Sequence, residues 1–486
     1  MNKLVAGLLA VLALAAILVA GWGLVYLPGT MSASAARAIE DLQAVLARDA
    51  PRLTLTHGAI SANPLTASVS VAEVSLSHAN GDVLKAVALE FGIDPFSGEI
   101  SAVEARALSF AKDEMETRVE GISLSGLTLE TRLLLNLAAR GELTMEAVIK
   151  RLDVTEFRLR ALTVTTPNRG ELSLRTVALE NMGNGIIGRF LLEDLNVYIK
   201  SGSDPGEVVL GRLEFTGLNL AEIVAAVRRP GLLPYFTKPV IKKFNFEGFE
   251  IRANEIDLVI GRGTLDAIYA TNGQGRPYAR KTTFLMDDIV MKPRGKSPAM
   301  AGFLRDSGLD AFKARLKMVT TADHATRTMA IEELSLRMAG LAGIDFKLGV
   351  RNLPKAVFEL SLKPEEMAGF MAEMLNATLI RGSLVLSNTR LIQLSLAAAA
   401  RKQGIGARAV IAAMLDQARR TARRSGSAFL KSLADELEKF LDDPKTLKIT
   451  VAPAPPFPFH RFQRLFGANA PGSLVRALNL KVEANR

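Results

Sequence analysis

An eight-residue pattern recurs along this chain, with apolar residues at its first, third, sixth and eighth positions; we call it the octet. Apolar residues with this spacing scatter around a helix, but two strand segments joined by one extra residue place them on one face. A β-bulge in the two-residue spacer would supply that extra residue. The three clearest copies carry the apolar sets Ile122, Leu124, Leu127, Leu129, then Leu213, Phe215, Leu218, Leu220, then Phe244, Phe246, Phe249, Ile251. Looser copies begin at Val69, Val103, Phe157, Leu172, Phe190, Phe284 and Met329.

The octets and the alternating runs around them predict a mainly β chain with helical inserts, an α+β fold. Their intervals are irregular, which excludes a fixed-period solenoid. Helices are predicted at 32–48, 145–152, 220–229, 365–375 and 407–442, with Asn219 as the cap of the third. Strands are expected from Ala377 to Leu396, and a last strand around Leu478, Leu480 and Val482.

The N-terminus is uncharged and almost wholly apolar from Leu4 to Pro28, long enough to cross a bilayer as a helix. Trp22 and Tyr26 lie near its far end, where amphipathic rings favour the membrane interface. We expect an uncleaved anchor in an inner membrane, crossing once, with the N-terminus cytoplasmic and the bulk exported to the periplasm. The alternative is a cleaved signal peptide, with Ser-Ala-Ser-Ala at 32–35 as the cleavage site.

These predictions divide the chain into six regions. They are an anchor at 1–28, a juxtamembrane helix at 29–50, a β-rich region with helical inserts at 51–295, a second β-rich block at 296–395, a basic amphipathic helical region at 396–443 and a C-terminal strand and Pro-rich segment at 444–486.

Charge is concentrated in the basic helical region. Seven cations lie between Arg401 and Arg424 against a single carboxylate, Asp416, within a chain of net charge +10. For an exported protein, anionic lipid head groups suit this patch better than nucleic acid, and we expect no nucleic-acid partner. A basic but merely solvated helix face is the alternative. The candidate head-group contacts are Arg408, Arg419, Arg420, Arg423 and Arg424.

Catalytic chemistry is not indicated, so we expect no enzyme and no cofactor. The chain has no Cys, which excludes disulfides and thiol chemistry, and its four His residues are isolated. Gly183-Asn-Gly185-Ile-Ile-Gly188 matches a dinucleotide-binding pattern, but it precedes an octet, not a helix. We predict a turn between two antiparallel strands there.

The segment Leu55-Thr-His-Gly-Ala-Ile-Ser-Ala-Asn-Pro64 precedes the octet at Val69. With the N-terminal anchor, this opening resembles that of the bacterial AsmA-like envelope proteins, which include TamB- and YhdP-type lipid-transfer proteins. The resemblance implies an elongated antiparallel sheet, folded into a U-shaped or taco-like groove that is apolar inside and guides phospholipids across the periplasm. The shortness of this chain favours a partial or partner-assisted conduit, or a regulatory protein.

The leading hypothesis is therefore a membrane-anchored periplasmic protein that supports phospholipid transport or envelope homeostasis. The apolar residues of the three clear octets are its candidate lipid-facing residues. The alternative is a non-enzymatic envelope scaffold or assembly factor, which acts through contacts with other envelope proteins.

Overall fold

The computed structural model describes most of the chain from residue 36 to residue 485. The residues outside its description are 1–35, 38, 41–42, 44–52, 64, 79–82, 94–99, 113, 127, 130–151, 168, 201–204, 229–238, 274, 276, 295–301, 303, 306, 359–366, 388–389, 426–427, 463–470 and 486. The chain divides into two compact units, Met1–Val227 and Arg228–Arg486. Each is built on antiparallel strands, so the predicted mainly β character is confirmed.

The first unit holds strands that follow one another across an antiparallel sheet. Strands β1 and β2 both pair with the same edge of β3, and the order continues β3-β4-β5-β6-β8-β9-β10-β11, with the short β7 beside β8. Their bounds are β1 Leu53–Thr56, β2 Ile60–Asn63, β3 Ser68–His78, β4 Val83–Ile93, β5 Ile100–Lys112, β6 Met115–Ser125, β7 Thr128–Leu129, β8 Leu152–Thr166, β9 Gly170–Gly183, β10 Ile186–Ile199 and β11 Gly206–Asn219.

The second unit repeats this sequential antiparallel order, β12 through β19 and then β21, with the short β20 beside β18. The bounds are β12 Lys243–Arg252, β13 Ile256–Thr271, β14 Pro277–Pro293, β15 Phe312–Asp323, β16 Thr328–Met338, β17 Ala342–Arg351, β18 Thr378–Ser387, β19 Thr446–Val451, β20 Phe457–Pro458 and β21 Lys481–Ala484.

The described helices lie mainly in the C-terminal part of the chain. They are α1 Leu220–Arg228, α2 Met367–Met374, α3 Arg390–Gln403, α4 Ala407–Ser425, α5 Ala428–Asp442 and α6 Pro471–Leu478, and a 3-10 turn covers Lys355–Phe358. Helix α1 is capped as predicted, because the backbone N–H of Glu222 donates to Oδ1 of Asn219 at 2.9 Å. The predictions at 220–229, 365–375 and 407–442 are thus confirmed, the last as two helices.

Two predicted strands near the C-terminus are present, as β18 and as β21 around Val482, but their predicted bounds are wrong. The strand expected to run to Leu396 ends at Ser387, and helix α3 begins at Arg390. Leu391, Leu394 and Leu396 mimic alternation, but the Ala-rich stretch that follows them favours a helix. Leu478 ends helix α6, and the last strand starts only at Lys481. The helix predicted at 145–152 lies outside the described residues except for Leu152, which begins β8.

The octet spacer is where the strands become irregular. The predicted β-bulge is found there in β14 and β16, whereas the spacers of the first unit keep their register. In eight octets the second spacer residue has a positive φ; these residues are Glu73, Ala107, Gly126, Ala161, Asp194, Gly217, Gly248 and Asp288. In the first unit the residue opposite the spacer, on the neighbouring strand, is left out of the ladder as well. One pair is therefore skipped, and the pairs on either side keep the same register. Ala72 pairs with Ala88 and Val74 with Ala86, for example, which leaves Glu73 opposite Val87.

The skipped positions form one line across the first sheet. The line runs through Glu73, Val87, Ala107, Glu120, Ala161, Arg175, Asp194 and Gly211 on β3, β4, β5, β6, β8, β9, β10 and β11. Positive φ occurs on every second strand of this line, with values from 47° to 51°. The line therefore marks a shared interruption of the pairing across the whole sheet.

Candidate functional site

One face of the first sheet is apolar along entire rows of paired residues. Residues that pair directly across antiparallel strands share a face, so each row can be followed from strand to strand. One row reads Val71, Leu89, Ala105, Ile122, Leu159, Val177, Leu192 and Leu213, and the next reads Val69, Phe91, Val103, Leu124, Phe157, Leu179, Phe190 and Phe215. Neither row contains a polar side chain.

The second sheet has the same kind of face, which we call the apolar face in both units. One row is Phe246, Gly263, Met286, Leu316, Leu336, Ile344, Leu386, Leu447 and Ala484, and its neighbour is Phe244, Leu265, Phe284, Met318, Leu334, Phe346, Leu384, Ile449 and Val482. The glycine has a packing role, because a Cβ on Gly263 would overlap the Phe246 ring. The aromatic ring thus occupies the space above the glycine.

The opposite, charged face is held by cross-strand ion pairs. Arg189 on β10 donates to Glu180 on β9 at 3.1 Å and to Glu214 on β11 at 2.9 Å. Burial raises the pKa of Glu214, but hydrogen bonds from Arg189 and Arg212 outweigh it and hold that pKa below its ordinary value. Since the polar residues lie here, the two faces differ sharply in polarity.

Helices cover parts of the apolar face. Ile39, in a helical segment before the first strand, packs on Val71, Leu89 and their neighbours, and α1 packs on Ile187 through Ala221. In the second unit α5 places Phe440 against Leu447 and Ala484, and α6 contributes Leu478 beside Leu379. The chain's own helices therefore fill this face at β3–β5, around β9–β10 and at β18–β21.

The stretch of the apolar face from β14 to β17 differs. Six of its side chains are all only half-buried; they are Phe284, Met286, Leu316, Met318, Leu334 and Phe346. Among the described residues, the hydrophobic clusters that contain helices do not include these six side chains. A contiguous apolar surface of this kind is typical of a site for another molecule.

Most of the predicted lipid-facing residues do lie together on this face. Ile122, Leu124, Leu213 and Phe215 belong to the two rows of the first sheet, and Leu218 lies next to them opposite Ile187. In the second sheet Phe244 and Phe246 begin the two rows given above, while Phe249 and Ile251 pair with Ile260 and Leu258.

Three octet residues fall elsewhere. Leu220 is the first residue of helix α1, so it packs from the helix and not from a strand. Leu127 lies outside the described residues. Leu129 is in β7, but the structure does not describe its side chain. The candidate lipid-facing residues left out those of β13 and β15–β19, although their alternating apolar residues, and the looser octet at Met329 in β16, signal this face.

The predicted head-group arginines all lie in helix α4, but in different surroundings. Arg408 and Arg423 are exposed, while Arg420 pairs with Asp416 at 3.1 Å within the same helix. Arg419 pairs with Glu438 of α5 and so links the two helices. The side chain of Arg424 is outside the description. Two of the five arginines are thus engaged within the protein.

The predicted dinucleotide-like loop is a hairpin turn, as expected. Strand β9 ends at Gly183 and β10 begins at Ile186, and the two residues between them, Asn184 and Gly185, both have positive φ. This is the conformation of a type I′ turn, which suits the twist of a hairpin. The glycines serve the chain reversal, since no helix begins at this loop.

Within the described part of the chain, no helix is both long enough and apolar enough to cross a bilayer, and the predicted anchor at 1–28 lies outside that part. The same part contains no group of three or more His, Asp or Glu side chains placed to hold a metal ion.

Comparison with known proteins gives one partial match. A family model described as an uncharacterized protein matches residues 335–485. The matched segment starts within β16 and contains the helices that cover the end of the second sheet. No curated protein matches the chain.

Proposed function

We propose that this protein is a membrane-anchored envelope protein whose apolar face holds lipid acyl chains, in support of phospholipid transport or envelope homeostasis. The observation that carries the proposal is the row-wise apolar face over β14–β17, half-buried and opposite a charged face. An acyl chain lying on that face would remove apolar surface from water, at roughly 25 cal/mol per Å² buried.

The resemblance to the AsmA-like proteins supports the same proposal, as does the apolar N-terminus at 4–28. In this proposal the sheet faces form a U-shaped groove in the periplasm. The exposed Arg408 and Arg423 of helix α4 then contact anionic head groups, since cations on an amphipathic helix favour such a surface. The covering helices at β18–β21 would close one end of the lipid-contacting surface.

The test compares adjacent residues on opposite faces. A photo-crosslinking benzoylphenylalanine replaces Phe346 on the apolar face or, as the matched control, Lys347 on the charged face. The full-length chain is reconstituted with vesicles of phosphatidylethanolamine and phosphatidylglycerol, irradiated, and analysed by mass spectrometry. We expect phospholipid adducts at position 346 and almost none at 347.

Equal adducts at both positions, or none at 346, would overturn the lipid proposal. The same variants crosslinked in cells address the scaffold alternative. A dominant protein adduct at 346 without lipid would favour an assembly factor that binds its partners through the apolar face.

A further inference from the structure

The charged face of the second unit contains a depression of about 850 Å³. A single row of paired residues crosses its floor: Ile268, Lys281, Thr321, Ala330, Gly349 and Arg381, from β13 to β18. The three middle side chains are small and the outer ones are long, which explains why the surface is concave. Since Gly349 adjoins Leu348, whose row lies on the apolar face, the depression is on the opposite side of the sheet from the proposed lipid surface.

Three β-bulges converge on this depression. The pairing of β13 with β14 leaves Arg280 as an extra residue, that of β15 with β16 leaves Glu332, and that of β17 with β18 leaves Ile380. All three extra residues line the depression. Bulges redirect side chains and are common beside binding sites, so their convergence on alternate strands indicates a shaped site and not a random concavity.

The carboxylates of the depression already have donors. Glu332 accepts a hydrogen bond from Oγ1 of Thr321 at 3.0 Å and pairs with Arg381 at 3.3 Å. Asp323 accepts from Oγ1 of Thr326 at 2.8 Å, and this hydrogen bond is the main reason that its pKa lies below the ordinary value. These two acids therefore have little remaining capacity to neutralise a further cation.

Two cations in the depression are left for a ligand. Within the described residues, neither Arg280 nor Lys281 makes a hydrogen bond or a close ion pair, and both are exposed. Arg280 acts on Asp323 only as a weak, longer-range charge. Cationic donors that converge on one concave surface suit a phosphate or a carboxylate.

Apolar side chains lie beside these cations. Ile268, which pairs with Lys281, is 54% exposed although it is a large hydrophobic residue that strands normally bury. Ala330 on the floor and the extra residue Ile380 extend this apolar part of the lining. A ligand with both a charged head and an alkyl portion would match the two parts of the depression at once.

We propose that this depression binds a small amphipathic anion, with a phosphate or carboxylate head held by Arg280 and Lys281 and an alkyl portion on Ile268 and Ala330. Its volume falls within the range of known small-ligand pockets, about 300 to 1,000 Å³. The inference does not rest on the proposed lipid function, because it concerns the other face of the sheet.

The test follows isoleucine δ1-methyl signals by NMR in the full-length chain, carrying ¹³C-methyl isoleucine and held in amphipol. Ile268 reports on the depression, and Ile344 reports on the apolar face. With dodecyl phosphate as the probe, we expect the Ile268 signal to shift and saturate. In the double variant Arg280→Gln/Lys281→Gln, the Kd from this signal should rise about tenfold or more, as expected for losing charge-assisted contacts.

The matched control removes two other cations from the same face, Lys292→Gln/Lys313→Gln, and should leave the Kd unchanged. Inorganic phosphate and dodecanol should each bind far more weakly than dodecyl phosphate. The proposal is overturned if Ile344 alone responds, if the double variant binds as the wild type does, or if either partial probe binds equally well. Failure of the lipid proposal would show at position 346 and would not alter this titration.

Discussion

The contact between Gly263 and Phe246 permits a sharp test of how the apolar face is packed. Phe246 is only 8% exposed, and its ring lies over the glycine of the neighbouring strand. A Cβ at position 263 would overlap the ring, and even the ring atom Cδ1 would be only 2.7 Å away. The variant Gly263→Ala must therefore displace the ring or shift the backbone.

The expected loss of stability can be estimated for both responses, displacement of the ring and a shift of the backbone. Overpacking a fitted site costs about 1–3 kcal/mol, and exposing a buried Phe costs a similar amount. Replacing glycine by alanine also restricts the unfolded chain, which by itself stabilises the folded state by about 0.4–1 kcal/mol. We therefore expect Gly263→Ala to destabilise the second unit by about 2 kcal/mol. Amide hydrogen exchange in β12 and β13 should then be roughly 30-fold faster, if exchange there follows unit opening.

The matched control is Gly382→Ala, on the same face of the second sheet. There a Cβ would lie 3.7 Å from Cβ of Val451, an ordinary contact, so stability should be unchanged or slightly higher. In a Phe246→Leu background, Gly263→Ala should lose most of its cost. Equal exchange rates for the two alanine variants, or an undiminished cost in that background, would refute the packing argument.

Three further predictions concern the irregular line, the helix cap and the ion pairs. Ala161→Gly should stabilise the first unit by about 1 kcal/mol, because alanine is strained at its positive φ of 48°; a lower melting temperature would contradict this. Asn219→Ala should cost about 1 kcal/mol and speed amide exchange at the start of α1, whereas Asn219→Ser should not. Because the pKa of Glu214 is lowered in the folded state, its stabilisation is present above the unfolded pKa near 4.5 and is lost as pH falls through the folded value. In Arg189→Gln the loss of this stabilisation should begin at a higher pH, which acid unfolding measures. An unchanged pH midpoint of acid unfolding would argue against the Arg189–Glu214 pairing.

The octet predicted more than the presence of strands. Its spacing requires an extra residue between two apolar pairs, and the structure places a positive φ at Glu73, Ala107 and Asp194 as that requirement implies. The sequence of one strand could not reveal that the neighbouring strand leaves a residue unpaired at the matching position. That match depends on cross-strand register, which is a property of two sequence segments together.

The depression could not be predicted for the same reason. Its floor is contributed by six strands, and no short segment contains more than a few of its residues. Helix α3 was missed for a different reason, because Leu391, Leu394 and Leu396 fit a strand as well as a helix over so short a stretch. The Ala residues after them were the better signal.

The line of left-handed residues has a consequence for how this chain can change in evolution. Since Glu73, Ala107, Ala161 and Asp194 occur on every second strand, the repeating element of the first sheet is a hairpin and not a single strand. Duplicating or deleting a whole hairpin would preserve the alternation and join matching edges. Gaining or losing one strand would place two strands of the same kind side by side. Homologous sheets should therefore differ in width by even numbers of strands.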